Sequence, residues 1–304
     1  MKKTLLIASF CFCFCSIFTV LAGDGAASLA MPFVDIPHNP ATFGEGGVRL
    51  ARTSSLAYGA FENIAALPFC GARMDFGASY AMWTPSTANE KFISFGGGAA
   101  FGKLAVALSG SIGNNEPYTE YREGGFEGTK FTPKDMTFGF GAAYGISDAF
   151  GIGVSGKYIS NTLSSTASYT AFGVDVMAFG KFGPVAAGAG LRNVGSKVKS
   201  YSGSSYSIPT SVAAGAAYDS PVGFGAEVDV DYVFGAGVAL SAGAHYCWND
   251  MITIRTGYHK GAVLPDWFSV GGGFKIAGIY LDAAYVITPS TAAGTLCLGL
   301  GYRF

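Results

Sequence analysis

An alternation of apolar and polar positions is clearest at the C-terminal end of the chain, in residues 294–304. Every second position is large and apolar, and the positions between are small or polar; the apolar series is Leu296, Leu298, Leu300, Tyr302 and Phe304. A period of two predicts a β-strand with unlike faces. Transmembrane strands of outer-membrane barrels alternate in this way, but so does the edge strand of a β-sandwich. The rest of the chain decides between the two.

Fourteen segments share this pattern, each near or above the roughly 9–11 residues that a tilted strand needs to cross a bilayer. They are 73–84, 91–101, 104–113, 134–146, 149–160, 167–180, 184–194, 208–218, 222–233, 237–248, 250–259, 266–276, 278–288 and 294–304. Tight turns alternate with longer links, except at 234–236, where a long link is due and a short one occurs. This rhythm predicts an all-β fold, a transmembrane antiparallel β-barrel of fourteen strands spanning residues 73–304.

Composition supports the barrel over a sandwich. The chain has 45 Gly, 25 Phe and 16 Tyr, and only 13% of its residues are charged. After residue 22 no apolar run approaches the roughly 20 residues of a membrane helix. The acidic residues slightly outnumber the basic ones, which gives no reason to expect a nucleic acid as a partner.

Residues 1–22 have the features of an export signal: Lys2 and Lys3 precede an apolar run that ends in small residues. The alternative is an uncleaved membrane anchor. With the barrel, a cleaved signal predicts a protein exported to the outer membrane of a Gram-negative cell, with lipid as its surroundings.

Residues 23–72 do not alternate, and their prolines and glycines make them too irregular for contact with lipid. We expect this segment to plug the lumen of the barrel. Inward glycines such as Gly139, Gly141, Gly271 and Gly273 would then allow close approach of its backbone. Relief of crowding in a curved sheet explains these glycines equally well.

Charged residues with lumen-facing parity form one group in the C-terminal half of the barrel. They are Glu227, Asp229, Asp231, His245, Arg255, Lys275, Asp282 and Arg303, and a second set (Arg73, Asp75, Lys157, Asp175 and Arg192) comes from the opposite wall. Charges in a partly dehydrated lumen need partners. Because the signs are mixed, we favour a network that pins the plug to the wall over a path for ions or substrate.

Part of the N-terminal segment resembles a known family. The residues that carry the resemblance are 30–33, 39–47 (N-P-A-T-F-G-E-G-G), 57–58 and 63–67 (N-I-A-A-L). They are similar to the N-terminal region of the PorV/PorQ outer-membrane proteins, which belong to the wider group of FadL-like fourteen-stranded barrels. Two positions depart from the family pattern, with Glu45 in place of Met and Ile64 in place of Pro.

The resemblance implies two functions. PorV-like members are accessories of type IX protein secretion, and FadL-like members pass hydrophobic molecules through a plugged lumen. The predicted inner wall is glycine-rich and charged rather than apolar. The sequence therefore favours an interaction protein that binds secreted proteins or secretion components. A channel for small apolar molecules is the alternative, and it would need an apolar pocket beside the N-terminal segment.

Candidate chemistry is sparse. Ser241 lies four residues from His245 on one strand, roughly 13 Å away, too far for a nucleophile and its base. No spacing of His, Cys and carboxylates predicts a metal site, and we expect neither enzymatic activity nor a cofactor.

Two further features are expected to make contacts outside the lumen. Leu298, Leu300, Tyr302 and Phe304 form an apolar C-terminal face that we expect to serve as the signal for membrane assembly. The 114–133 link carries Tyr118, Tyr121 and Phe126, which would either contact a protein partner or belong to the aromatic girdle of the membrane interface.

Overall fold

The computed structural model of the protein describes residues 29–52, 55–83, 90–121, 127–288 and 294–304. The predicted signal peptide lies outside these residues. The described part contains eighteen β-strands: β1 (Met74–Trp83), β2 (Glu90–Phe101), β3 (Leu104–Asn114), β4 (Tyr118–Tyr121), β5 (Glu127–Phe131), β6 (Lys134–Gly145), β7 (Phe150–Thr162), β8 (Ser168–Phe182), β9 (Val185–Gly195), β10 (Lys197–Lys199), β11 (Ser205–Ser207), β12 (Ser211–Asp219), β13 (Phe224–Val233), β14 (Gly237–Trp248), β15 (Ile252–Lys260), β16 (Trp267–Ile276), β17 (Ile279–Ile287) and β18 (Thr295–Arg303).

Fourteen of these strands form one closed antiparallel barrel, which confirms the predicted fold. Strands that follow one another along the wall are neighbours, and β18 closes the barrel by pairing with β1, with Tyr302 opposite Phe76. The other four strands form two small hairpins, β4–β5 and β10–β11, within long links that the sequence predicts as loops. The end of the barrel that carries these hairpins is called the loop end, and the opposite end the turn end.

The two faces of the wall differ as the alternation predicts. Along β18 the side chains of Leu296, Leu298, Leu300 and Tyr302 are exposed on the outer surface, whereas Thr295, Cys297 and Gly301 are buried on the lumen side. Large apolar side chains cover the outside of the other barrel strands in the same way. An outer surface this apolar is suited to lipid rather than water.

Tight turns at the turn end depend on residues with positive φ. Gly102, Gly183 and Gly278 have φ values of 61°, 62° and 85° in the turns that follow β2, β8 and β16. These values lie in the left-handed region, which glycine adopts without a steric penalty. The same region is occupied by Asn249 and Asp250 in the turn between β14 and β15.

Residues 29–52 and 55–72 lie inside the barrel and contain three short helices: a 3-10 helix at Pro32–Asp35, the α-helix α1 at Pro40–Gly44 and a second 3-10 helix at Ile64–Phe69. Asn39 and Asn63 cap the last two, because each side-chain oxygen accepts a hydrogen bond from the backbone N–H two residues on. No helix in the described ranges has the length and apolar character to cross a membrane.

We call residues 29–72 the plug. Its apolar residues form two clusters with the barrel wall, and together these make the core of the molecule. One includes Leu50, Leu56 and Ile64 and packs against small wall residues toward the turn end, such as Ala105 and Ala143. The other includes Phe33 and Phe43 and packs against aromatic wall residues toward the loop end. The core thus lies between plug and wall, inside the barrel.

Candidate functional site

The plug begins at the loop end and runs down into the lumen. Leu29 forms a parallel bridge with Ser207 of β11, and the N–H of Ala30 donates to the carbonyl of Ser207 at 2.9 Å. Further on, α1 packs against β15–β18 on one side of the lumen, and the 3-10 helix Ile64–Phe69 packs against β3 and β6–β8 on the other. The plug therefore contacts both sides of the barrel.

The plug backbone touches the wall at inward glycines. A Cβ on Gly257 would lie 2.2 Å from the backbone carbon of Glu45, and one on Gly243 would lie 2.4 Å from its oxygen. On the other side, a Cβ on Gly96 would lie 1.8 Å from the carbonyl oxygen of Ala57. No larger residue fits these places without moving the plug. Of the glycines named from the sequence, Gly139 and Gly271 also face plug residues, whereas Gly141 lies nearest to wall atoms and Gly273 meets only wall side chains. Close approach of the plug thus accounts for some of the inward glycines, and crowding within the wall accounts for others.

Glu45 is the centre of the ionic contacts between plug and wall. Its carboxylate is fully buried and pairs with Arg52 of the plug, with Arg255 of β15 at 3.2 Å and with His245 of β14 at 3.4 Å. Burial opposes ionisation of Glu45, but Arg52 and His245 outweigh it and lower its pKa to about 2. The position where the PorV/PorQ pattern has Met therefore holds a buried anion with cationic partners.

Two carboxylates of β13 hold the plug backbone directly. Asp229 accepts hydrogen bonds from the N–H groups of Arg49 and Leu50 at 2.7 and 3.1 Å. Glu227 accepts from the N–H groups of Leu50 and Ala51 at 3.1 and 2.7 Å. These bonds satisfy backbone donors that the irregular plug cannot pair within itself.

Most of the remaining predicted lumen charges are also paired. Asp231 pairs with Arg192 at 3.0 Å, and Asp282 pairs with Arg255 at 2.7 Å. Arg303 is 2.9 Å from Asp75, which also accepts from the N–H of plug residue Leu56. Lys157 and Asp175 form a further pair at 2.6 Å.

Lys275 departs from the expected arrangement. It is exposed near the turn end and forms no ion pair with the described residues, so it stands apart from the network. Arg73 is likewise exposed beside the start of β1. Both side chains lie where the wall meets solvent, and a cation there does not need a protein partner. The paired charges are therefore those that the plug covers.

Ser241 bonds a histidine other than the one considered from the sequence. Its hydroxyl is 2.8 Å from Nδ1 of His259, which is its direct partner across β14 and β15. His259 stacks on the buried ring of Trp267, and no described carboxylate is hydrogen-bonded to its imidazole. Cross-strand packing accounts for this pair. In the described chain no group of three or more His, Cys, Asp or Glu side chains is placed to hold a metal ion.

The outward-facing candidates lie on two surfaces. The side chains of Leu298, Leu300, Tyr302 and Phe304 are exposed on the outer face, and Phe304 packs edge-to-face on Phe76 of β1. Their part in membrane assembly remains a prediction.

The aromatic loop residues belong to the β4–β5 hairpin. Tyr118 donates a hydrogen bond to the carbonyl of Leu163 at 2.6 Å and packs on Phe131, whereas Tyr121 is 71% exposed. Phe126 lies outside the described residues. Tyr118 is thus held against the barrel rim, and Tyr121 is free to contact a partner.

A cavity of about 630 Å³ lies at the loop end, beside the first residues of the plug. Much of its lining is apolar and comes from the plug and from strands and links far apart in sequence: Leu29, Met31, Phe33, Ile36, Trp83, Leu163, Val198, Val263 and Leu264. Polar lining residues include Glu90, Asn115, Asp135 and Asn161. Its volume is in the range of small-molecule sites, and it is the apolar pocket that a channel would need.

A second cavity lies within the plug, beside Glu62 and Thr42. It has a volume of about 10 Å³, room for about one water molecule. This second cavity is therefore too small for an organic ligand. The residues of the loop-end cavity were missed in the sequence because the links that carry them lack any period and are brought together only by closure of the barrel.

The structure defines a fold class: a closed antiparallel barrel of fourteen strands whose lumen holds the plug. Among solved structures, the chain is similar to the TodX monoaromatic hydrocarbon channel deltaS2 mutant, with a TM-score of 0.68, 10% identity and coverage of 88% of this chain and 98% of that one. The CymD monoaromatic hydrocarbon channel gives a TM-score of 0.64 at 12% identity, with 88% and 97% covered. A Pseudomonas aeruginosa FadL homologue gives 0.60 at 13% identity, with 88% and 99% covered.

Two of these neighbours are named as monoaromatic hydrocarbon channels, and the third as a FadL homologue. No sequence-family model matches the chain, and no curated protein matches it. The likeness therefore extends to FadL-like barrels, and nothing in it is specific to PorV/PorQ.

Proposed function

We propose that the protein is an outer-membrane channel for small, mainly apolar molecules, which bind in the loop-end cavity. The observation that carries this proposal is the cavity itself: about 630 Å³, largely apolar, and formed in part by the first residues of the plug. The similarity to hydrocarbon channels supports the same function. The secretion-accessory function that the sequence favoured has no comparable support, since it rests on the resemblance of the N-terminal segment and on the glycine-rich, charged inner wall.

The test is binding of an uncharged apolar probe, decanol, to the protein in lipid nanodiscs. Ala30 lines the cavity, so Ala30→Trp should fill part of it and weaken decanol binding by about tenfold. Ala142→Trp is the matched control, because Ala142 is exposed on the outer face of β6, where an aromatic side chain contacts lipid. Uptake of decanol into proteoliposomes measures passage in the same variants.

The proposal predicts that Ala142→Trp behaves as wild type and that Ala30→Trp loses both binding and uptake. Equal decanol binding by wild type and Ala30→Trp, with both folded, would exclude the cavity as the site. Recovery of secreted proteins with the native protein, and no decanol uptake, would favour the secretion function instead.

A further inference from the structure

The polar part of the cavity lining is rich in hydrogen-bond acceptors. Glu90 and Asp135 both line it, and the described lining includes neither Lys nor Arg. Lys91 directly follows Glu90 along β2, and Lys134 directly precedes Asp135 along β6. Both lysine side chains are exposed on the outer face. The alternation of the strands thus places carboxylates inside the cavity and ammonium groups outside.

Asp135 is held in place as an acceptor. Its side chain is buried, and it accepts hydrogen bonds from Nδ2 of Asn161 and, at 3.2 Å, from Nδ2 of Asn115. The side-chain amides of Asn115 and Asn161 therefore donate to Asp135. Oδ1 of Asn115 is buried without a hydrogen-bond partner, and the half-buried side chain of Glu90 makes no hydrogen bond with the described residues.

The register explains why these groups converge. Phe92, Gly113, Asp135 and Asn161 form one row across β2, β3, β6 and β7, and Glu90 and Asn115 lie just beyond this row toward the loop end. Phe92 of this row is buried on the lumen side, and apolar residues of the plug and the links form most of the rest of the cavity lining. A ligand in this cavity therefore meets apolar side chains on most sides and acceptors on one.

We infer that the cavity selects apolar molecules whose polar end donates hydrogen bonds, with an ammonium group preferred to a hydroxyl, and that it excludes carboxylates. A donor would satisfy Glu90 and the free oxygen of Asn115, which otherwise lose hydration when the cavity fills with an apolar chain. A carboxylate end would instead place a third anion beside Glu90 and Asp135 with no described cation in the lining. This inference rests on the proposed function of the cavity.

The experiment compares three probes with one ten-carbon chain, decylamine, decanol and decanoate, in nanodiscs. Subtracting the signal of Ala30→Trp nanodiscs removes partition into lipid and leaves binding in the cavity. We expect the affinity of wild type to fall in the order decylamine, decanol, decanoate, with at least about tenfold between the first and the last.

Glu90→Gln and Asp135→Asn should each reduce the ratio of decylamine to decanoate affinity by about tenfold, while decanol changes by less than about threefold. Glu90→Gln is informative even if Asp135→Asn disturbs the rim, because Glu90 supports no described hydrogen bond. Asp250→Asn is the matched control: it removes one negative charge at the turn end, and Asn tolerates the positive φ of 55° there.

The outcomes separate the two claims. Decanol binding with equal affinities for decylamine and decanoate, or a ratio unchanged in Glu90→Gln, would overturn the selectivity and leave the channel proposal standing. Absence of cavity binding for all three probes would overturn the channel proposal and the selectivity with it.

Discussion

Replacing Gly257 by alanine tests whether the plug is as closely fitted to the wall as the structure indicates. The added Cβ would lie 2.2 Å from both the backbone carbon of Glu45 and the nitrogen of Gly46, far inside ordinary van der Waals contact. Both are backbone atoms, so no side-chain rotation relieves the overlap. Plug or strand must shift by on the order of 1 Å, enough to disturb the Glu45–Arg255 pair.

Overpacking of this kind costs about 1–3 kcal/mol. If the cost falls on docking of the plug, amide hydrogens in residues 29–72 should exchange about 5- to 150-fold faster in Gly257→Ala than in wild type, as followed by mass spectrometry. Amides of the barrel strands should keep their protection, because the wall remains hydrogen-bonded on both sides of β15.

Gly156→Ala is the control. It makes the same chemical change in β7, where a Cβ would have no neighbour within 4 Å. Plug exchange in Gly156→Ala should match wild type. If Gly257→Ala, folded and with an intact barrel, also exchanged like wild type, the close contact between plug and wall and the explanation of the inward glycines would both be refuted.

Three further predictions concern the plug and the outer face. Glu45→Gln removes the anion that Arg52 and Arg255 share but leaves each its second partner, Glu227 and Asp282, which should cost about 1.5–3 kcal/mol and make the plug more sensitive to protease. Because the pKa of Glu45 is about 2, its stabilising effect in wild type is complete above pH about 4.5 and declines as the pH falls toward 2. Burial lowers the pKa of His38 to about 3, so an undocked plug binds a proton below pH 6.5 that a docked plug does not. Docking of the plug, measured by hydrogen exchange, should therefore weaken as the pH falls from 6.5 to 3. The same fall in pH should weaken docking less in His38→Leu. Leu300→Arg puts a charge on the lipid face and should prevent assembly, whereas Leu300→Ile should migrate as a folded barrel in heat-modifiability gels.

The barrel could be predicted from the sequence because each strand carries its own signal. Alternation along β6 or β18 identifies the strand and its lipid face from local sequence alone. The short link at 234–236 is a tight connection between β13 and β14. Strand ends were predicted to within a few residues. The small hairpins were not foreseen, since β10 and β11 have only three residues each, too few for a period to be recognised.

The plug and the cavity could be predicted only in outline. Irregularity placed residues 23–72 away from lipid, but nothing local to Glu45 indicates that Arg255, 210 positions away, is its partner. Mixed signs predicted that the lumen charges would pair, and most do, while Lys275 shows that parity alone does not place a side chain under the plug. The cavity forms because the closed barrel brings Leu29, Trp83, Val198 and Leu264 together at one end. Their convergence is a property of the whole fold and not of any one segment.

The position of the cavity separates binding from passage. A molecule in the loop-end cavity lies beside the first plug residues, while the rest of the plug, with Glu45 and its partners, lies between it and the turn end. On the proposed function, affinity depends on lining residues such as Ala30, and movement through the lumen requires release of the ion pairs around Glu45. Glu45→Gln should therefore alter the rate of decanol uptake more than decanol affinity, whereas Ala30→Trp should lower affinity first. Each variant is therefore a control for the other, since a single defect in folding would change both properties together.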